Sequence, residues 1–545
     1  MEYTSSSSGT GSPVADFYRG RSVFITGSTG FMGKVLVEKL LRTCPDVSAL
    51  YLLLRPQRHG NDVRRRLEDL LHTPIFDEIR RSRPDALRKV VVIPGDLTLP
   101  DLGISASDRE LLAEEVSVVF HSAATVKFDE ALKLSIEMNM LGTQRMLQLA
   151  KQMKKLEAFV HVSTAYCNCD RSEVREMVYP PPTDPDKLVQ CVDWMDADLA
   201  DHMTAKILGN RPNTYTLTKA LAETNVAKEA ANLPVVIVRP SIVTAALREP
   251  LPGWVDNMNG PTGLLVGAGK GVLRTLYCHR DMVADLIPVD ICINLLIAVA
   301  WKTATRNQNG RSSDDKVVVY NCVSGAQNPI KWGQLEDIGL RHLRRNPYSG
   351  VLWYPGGSFK GSRAYHDVCA LAFHVLPAYV MDVAARLSGK KPIMVKIQRK
   401  LSKAIKCLQF FTTGEWQFTD DNVQALMREM TPADRKVFDF DVREVDWDSY
   451  LNMYVLGIRK FILKEDPSTF PEARAHLRKM YFVHRLSQFL TVTLTWRLIL
   501  ANSQVARRLW TLLIGILARA VGLVSGVTRA ALPSIGHIAG PVGVH

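Results

Sequence analysis

The heptapeptide Gly27-Ser28-Thr29-Gly30-Phe31-Met32-Gly33 lies between a β-branched and aromatic run, Val23-Phe24-Ile25-Thr26, and a stretch of helical period from Lys34 to Leu41. Each glycine answers a separate physical need. Gly27 permits the tight turn, Gly30 lets the backbone approach a pyrophosphate, and Gly33 lets the helix pack closely on the strand with its positive end toward the phosphates. Three glycines alone are a common accident; a strand before and a helix after turn them into a dinucleotide-binding fingerprint. A strand followed at once by a crossover helix also commits the chain to a parallel sheet.

The rest of the first half agrees. Leu50 to Leu54, Val90 to Ile93, Val116 to Phe120, Ala158 to Val162 and Val235 to Val238 read as further short strands, with room between them for covering helices. The economical topology is a doubly wound parallel Rossmann sheet in the order 3-2-1-4-5-6, with Val317 to Tyr320 as a late seventh strand. A Pro-rich run, Tyr179 to Pro185, makes a loop just beyond the end of strand five, where ligands bind in such sheets.

A chain of 545 residues exceeds one ordinary core. The expected organisation is a disordered N-terminus (1–19), an α/β domain (20–345), a second, mainly helical C-terminal domain (365–464) beyond a Pro- and Gly-punctuated connection, and a hydrophobic basic tail (474–545). The tail carries nine Lys or Arg and no Asp or Glu, and setting those nine aside leaves the body at +4 of the chain's +13. A basic segment interleaved with Leu, Trp and Phe points to a lipid membrane rather than nucleic acid. Residues 509–528 and 486–506 are the candidate membrane helices, each interrupted by one arginine, Arg519 or Arg497. Nine cysteines without paired spacing predict a reducing compartment, no disulfide framework and no structural metal.

The second strand ends in Leu54-Arg55-Pro56, where a chain selecting NAD carries Asp or Glu for the ribose hydroxyl. A guanidinium there can clamp a 2′-phosphate, which predicts NADPH as cofactor. Asp96 and Leu97 close the third strand beside the adenine position, and Ala123, after the fourth, leaves space on the nicotinamide side. Asn139 is either a buried polar anchor or an exposed amide.

Tyr215, alone among the fifteen tyrosines, has a lysine four residues on, Lys219. On a helix the two share a face, so the ammonium is expected to lower the phenol's pKa, and the tyrosine to donate a proton to an oxyanion during hydride transfer. The spacing alone is what chance provides; its position after the Pro-rich loop gives it weight. A hydroxyl at the end of strand five, Thr164 or else Ser163, completes the constellation.

These motifs, together with His121-Ser122-Ala123-Ala124-Thr125-Val126-Lys127-Phe128 and Val238-Arg239-Pro240-Ser241-Ile242-Val243, resemble the fatty acyl-CoA reductases, especially those of insects, within the extended short-chain dehydrogenases. Phe373 to Tyr379, Phe410 to Trp416 and Tyr454 to Lys460 resemble that family's C-terminal domain. The resemblance implies an oxidoreductase of lipid metabolism that uses NADPH to reduce a long-chain acyl-CoA to a fatty alcohol through an aldehyde, releasing CoA. It assigns Gly27, Thr29, Gly30, Phe31, Gly33, Arg55, Asp96, Leu97, Ala123, Lys219, Pro240 and Ile242 to the cofactor, and Tyr215, Lys219 and Thr164 or Ser163 to catalysis. It also implies attachment to the endoplasmic reticulum or peroxisome, with the catalytic part facing the cytosol. Met258, Leu264, Leu265 and Val266 are candidates for an acyl trough. Two other readings use the same residues: a membrane-bound dehydrogenase of a steroid or sterol, and a non-catalytic nucleotide-binding scaffold.

Overall fold

The computed structural model describes residues 11–56, 63–308 and 316–530. The chain forms two compact units, Met1–His476 and Leu477–His545.

In the first unit seven strands form the central sheet: β1 (Ser22–Thr26), β2 (Ala49–Leu54), β3 (Val90–Pro94), β4 (Val116–His121), β5 (Ala158–Val162), β6 (Val235–Pro240) and β7 (Val318–Cys322). They run in the order β7-β6-β5-β4-β1-β2-β3, every neighbouring pair parallel. The expected order is therefore present, and the late seventh strand lies at the edge beside β6. Side chains alternate between two apolar layers: Val23, Ile25, Leu52, Val118 and Val160 on one face, Phe24, Tyr51, Leu53, Val119 and Phe159 on the other. Burying each such side chain contributes about 1.5–3 kcal/mol, which is why strands covered on both faces read as unbroken apolar runs. Strand order reverses between β1 and β4, and the register sets Thr26 of β1 opposite His121 of β4. The crevice at that reversal is where such sheets bind ligands.

Two helices position the site. Helix α1 (Phe31–Thr43) follows β1 directly, with Gly30 at its N-cap. Helix α2 (Thr214–Lys228) starts where Asn213 accepts a hydrogen bond from the amide of Thr216 at 2.9 Å. Nearly every residue of α2 from Thr216 to Val226 is buried, Lys219 and Glu223 included.

The helices between residues 345 and 465 belong to this same unit. In Trp447–Gly457, Tyr450 hydrogen-bonds Thr244 and Tyr454 hydrogen-bonds Thr262, both at 2.6 Å. Gly457 packs so closely on Gly253 that a Cβ would come within 1.8 Å of the Gly253 carbonyl oxygen. Two further helices, α3 (Arg363–Leu387) and α4 (Met394–Thr413), pack on each other.

The expectation of disorder through residue 19 is corrected in part. Residues 1–10 lie outside those described, but Pro13–Phe17 is a helix whose neighbours Val14, Ala15 and Tyr18 are buried. Ser12 Oγ and the amide of Val14 donate to Asp434 at 2.6 and 3.0 Å, and the Tyr18 hydroxyl donates to the Ile297 carbonyl at 2.9 Å. The serine-rich composition hid a short apolar plug, capped locally by Ser12 accepting from the Ala15 amide at 3.2 Å and fastened by these contacts with distant residues.

The second unit is helical, comprising its part of α5 (Phe470–Asn502) and α6 (Gln504–Ala530). Large apolar side chains along it, such as Phe482, Phe489, Leu498, Leu509 and Leu512, are exposed. Of the expected tail, residues 531–545 and the side chains of residues 518–530, Arg519 among them, lie outside the description. Among the described residues α3 is long and apolar enough to cross a membrane; the candidate at 509–528 runs beyond the residues whose side chains are described.

Candidate active site

Two glycines of the turn leave no space for a side chain. Gly27 has φ +78°, and a Cβ there would meet the Ala123 amide nitrogen and Ser122 Oγ at 2.8 Å. A Cβ on Gly33 would stand 2.2 Å from the Gly27 carbonyl oxygen. No side chain caps α1 at Gly30, so the first N–H groups of the helix and its positive end are left to a ligand. Ser28 Oγ is buried in the same turn with no hydrogen-bond partner. A Cβ-free cradle, an orphaned hydroxyl and a helix N-terminus fit a dinucleotide pyrophosphate. Thr29 lies half-buried in the turn, and Phe31 stacks on Trp254 with ring centroids 5.2 Å apart.

Arg55 and Asp96 meet at the ends of β2 and β3, where the guanidinium Nε pairs with a carboxylate oxygen at 3.0 Å. The other oxygen of Asp96 accepts from the Thr98 amide and hydroxyl at 3.0 Å, while half of the Arg55 side chain remains exposed. Leu97 is buried against Gly142. Beyond β4, the Ala123 amide donates to Thr26 Oγ1 at 3.2 Å and Ser122 Oγ donates to the Thr26 carbonyl at 2.7 Å. These bonds tie the two halves of the crevice together. His121 is held between Thr26 Oγ1 at 2.8 Å and Thr143 Oγ1 at 3.0 Å. Burial, aided by the Lys219 charge, lowers its pKa to about 3, so it is neutral at physiological pH.

Asn139 is the buried anchor of the two alternatives. It sits in a π-helical segment, Ile136–Leu141, accepts from the Thr125 amide at 2.9 Å, and donates to the Thr125 carbonyl at 3.2 Å and Thr218 Oγ1 at 3.0 Å. One side chain thus fastens the loop after β4 to α2, and such π-segments recur at functional sites.

Tyr215 and Lys219 are one turn apart on α2. Lys219 is buried and its ammonium donates to the Val162 carbonyl, the last residue of β5, at 2.7 Å. Burial lowers its pKa to about 8. The Tyr215 phenol is pushed above its ordinary value by burial, opposed by a hydrogen bond with Thr164. The expectation that Lys219 would lower it is not met: the ammonium is committed to Val162, and desolvation dominates at the phenol. Thr164 Oγ1 also accepts from the Tyr166 amide at 3.3 Å, whereas the Ser163 hydroxyl is buried without a hydrogen-bond partner. The Pro240 carbonyl lies 3.5 Å from Thr164 Oγ1, and Ile242 is half-buried in the adjoining strand Ile242–Thr244. The structure therefore brings Thr164, Tyr215 and Lys219 to the crevice at which the glycine turn opens.

Two features escaped the sequence reading. Glu223, a further turn along α2, takes the Arg239 guanidinium in a fork at 2.8 and 2.6 Å, both side chains fully buried. Arg239 also donates to the carbonyls of Arg175 at 3.1 Å and Met177 at 2.9 Å, and Cys167 Sγ donates to Glu223 at 3.2 Å. The 215-219-223 spacing was a signal available in the sequence. The other is an aromatic wall: Phe128 lies 6.1 Å from Tyr215 and 5.2 Å from Phe411, which meets Tyr166 at 5.1 Å. Its members come from three distant segments, so no local pattern announces it.

Leu264 and Leu265 line a small apolar pocket of about 60 Å³ with Leu273, Leu276, Leu340 and Leu343; Met258 and Val266 are not in its wall. Among the described residues, no group of three or more His, Cys, Asp or Glu could hold a metal ion.

Two family profiles, both described as "Male sterility protein", match residues 25–296 and 373–465. The chain is 43% identical to "Fatty acyl-CoA reductase 1" of Xenopus laevis, over 91% of this chain and 95% of that one. It is 41% identical to the protein of the same name from Homo sapiens, with the same coverage. With "Fatty acyl-CoA reductase 2" of Bos taurus it shares 41%, over 92% of this chain and 96% of that one. In fold it is similar to the reductase domain of a nonribosomal peptide synthetase from Mycobacterium tuberculosis, at TM-score 0.53 and 20% identity, covering 83% of this chain and 96% of that one.

Proposed function

The chain belongs to the fatty acyl-CoA reductase family, and on that premise we propose that it is an NADPH-dependent, alcohol-forming reductase of long-chain acyl-CoA thioesters attached to a membrane. The observation that carries the reading is the meeting of Thr164, Tyr215 and Lys219 at the mouth of the glycine turn. When bound, NADPH supplies hydride. Gly27, Gly30 and Gly33 leave room for its pyrophosphate, Ser28 Oγ offers an uncommitted hydroxyl, and Lys219, whose ammonium has donors beyond the one given to Val162, would hold its ribose. Arg55, standing where an acidic residue would select NADH, favours the 2′-phosphate.

The thioester carbonyl lies against Tyr215 and Thr164. A phenol kept protonated by burial is a proton donor, and it protonates the carbonyl oxygen as hydride adds to the carbon. Phe128 and Phe411 keep water from that oxygen and strengthen the hydrogen bonds to it. Collapse of the hemithioacetal expels CoA thiolate and leaves an aldehyde, which the same residues reduce in a second round to a primary alcohol.

The test follows NADPH absorbance and free thiol together when detergent-solubilised protein meets a long-chain acyl-CoA. Two NADPH consumed per thiol released is the expected result. One per thiol would make the product an aldehyde, and neither signal from protein that binds NADPH would overturn the reading.

A further inference from the structure

Helix α3 is inverted relative to an ordinary surface helix. Its buried residues are largely polar: His366 Nδ1 meets Thr275 Oγ1 at 3.1 Å, and His374 Nε2 accepts from the amides of Arg274 and Thr275 at 2.8 and 3.3 Å. Asp382 accepts from the amides of Met394 and Val395 at 2.8 and 3.0 Å. The opposite face carries Val368, Leu371, Phe373, Leu376, Val380 and Leu387, which are 55–85% exposed. A contiguous apolar face of this kind marks an interaction surface.

The chain that follows indicates what covers it. From Val383 to Gly414 there are eight Lys or Arg and no Asp or Glu. On α4, Lys396, Arg399, Lys400, Lys403 and Lys406 are all exposed and recur every three or four residues, so they form one cationic stripe beside the apolar face. Apolar and cationic faces side by side suit the headgroup region of an anionic bilayer. Nucleic acid would leave the apolar face in water. Nor does α3 suit a span, since its inner side is hydrogen-bonded to the body of the first unit.

We infer that α3 and α4 are a membrane-docking surface, distinct from the C-terminal tail, that seats the catalytic unit on an anionic lipid bilayer. The surface is coupled to the site. The last turn of α4 supplies Phe411 to the aromatic wall beside Tyr215, and Lys403 pairs with Asp129, next to Phe128, at 2.5 Å. Docking thus brings the aromatic-wall side of the crevice to the phase in which long acyl chains reside. That last step rests on the acyl-CoA reading; the docking does not.

The test uses the full chain carrying Cys191→Ser, Cys407→Ser and Leu387→Cys, with a nitroxide on the new thiol, reconstituted into phosphatidylcholine vesicles with or without phosphatidylserine. Its collision rate with oxygen relative to a neutral water-soluble nickel complex should rise several-fold when phosphatidylserine is present. The rise should vanish at high salt and in a Lys396→Glu, Arg399→Glu, Lys400→Glu variant that still turns over a short, water-soluble acyl-CoA. An unchanged ratio overturns the inference, as does shielding without vesicles, which would give the face to a second copy of the chain. Shielding without any acyl-CoA turnover would leave the docking intact and count against the catalytic reading alone.

Discussion

Lys219 is buried and Tyr215 half-buried, and desolvation acts on them in opposite senses: it keeps the phenol protonated and makes the ammonium easier to discharge. Replacing Tyr215 with Phe removes the proton donor but little volume. We expect turnover to fall by roughly 10²- to 10⁴-fold with NADPH affinity preserved, checked by steady-state rates beside cofactor titration. The Lys219 ammonium is largely charged below its pKa of about 8 and neutral above it. The rate should therefore fall as pH rises through about 8, and Lys219→Arg should move that limb of the kcat/KM profile to higher pH. Stability runs the other way at this residue. Between about 8 and the ordinary 10.5 the unfolded chain binds the extra proton, so the site's contribution to stability rises with pH. At this scale the sequence was informative wherever the chemistry is local, as in the glycine turn and the four-residue Tyr-Lys spacing. It left Ser163 and Thr164 open because the distinction depends on which of two adjacent hydroxyls reaches Tyr215 and which is buried unpaired.

Helix α2 is the element on which the site depends. Its Tyr215, Lys219 and Glu223 lie along one line, and Glu223 locks the helix to β6 through Arg239. Replacing Glu223 with Ala leaves the guanidinium buried without its counter-charge, at a cost of about 3–5 kcal/mol; urea unfolding of the variant measures it. Glu223→Met combined with Arg239→Met should recover most of that loss, because an apolar pair avoids the desolvation that the ion pair bears. Losing both charges also frees the carbonyls of Arg175 and Met177, so recovery falls short of complete. The seven strands were legible because strands buried on both faces have continuous apolar runs. The insertion of Trp447–Gly457 was not, since Tyr450 meets Thr244 across 206 positions and Gly457 meets Gly253 across a similar distance, which no periodicity encodes.

At the scale of the whole molecule, the chain's excess positive charge has two apolar companions: the tail, and the α3–α4 surface that the sequence reading passed over because it counted charge only from Arg474 onward. The two differ in physics. Attachment through the tail includes apolar insertion, which salt does not screen even where its arginines add an electrostatic part, whereas a cationic stripe contributes about 1 kcal/mol per residue against anionic lipid and is screened within a Debye length. Removing residues 477–545 takes away the second compact unit and retains the sheet, glycine turn and α2 of the first, the cut falling within α5. We expect that truncated chain to reduce a soluble acyl-CoA and to lose sedimentation with phosphatidylcholine vesicles. It should still sediment with vesicles containing phosphatidylserine at low salt and be released from them at high salt. Retention on neutral vesicles would mean that the tail is not the anchor. Release from both kinds at low salt would leave the tail as the sole attachment and return the exposed face of α3 to some other partner.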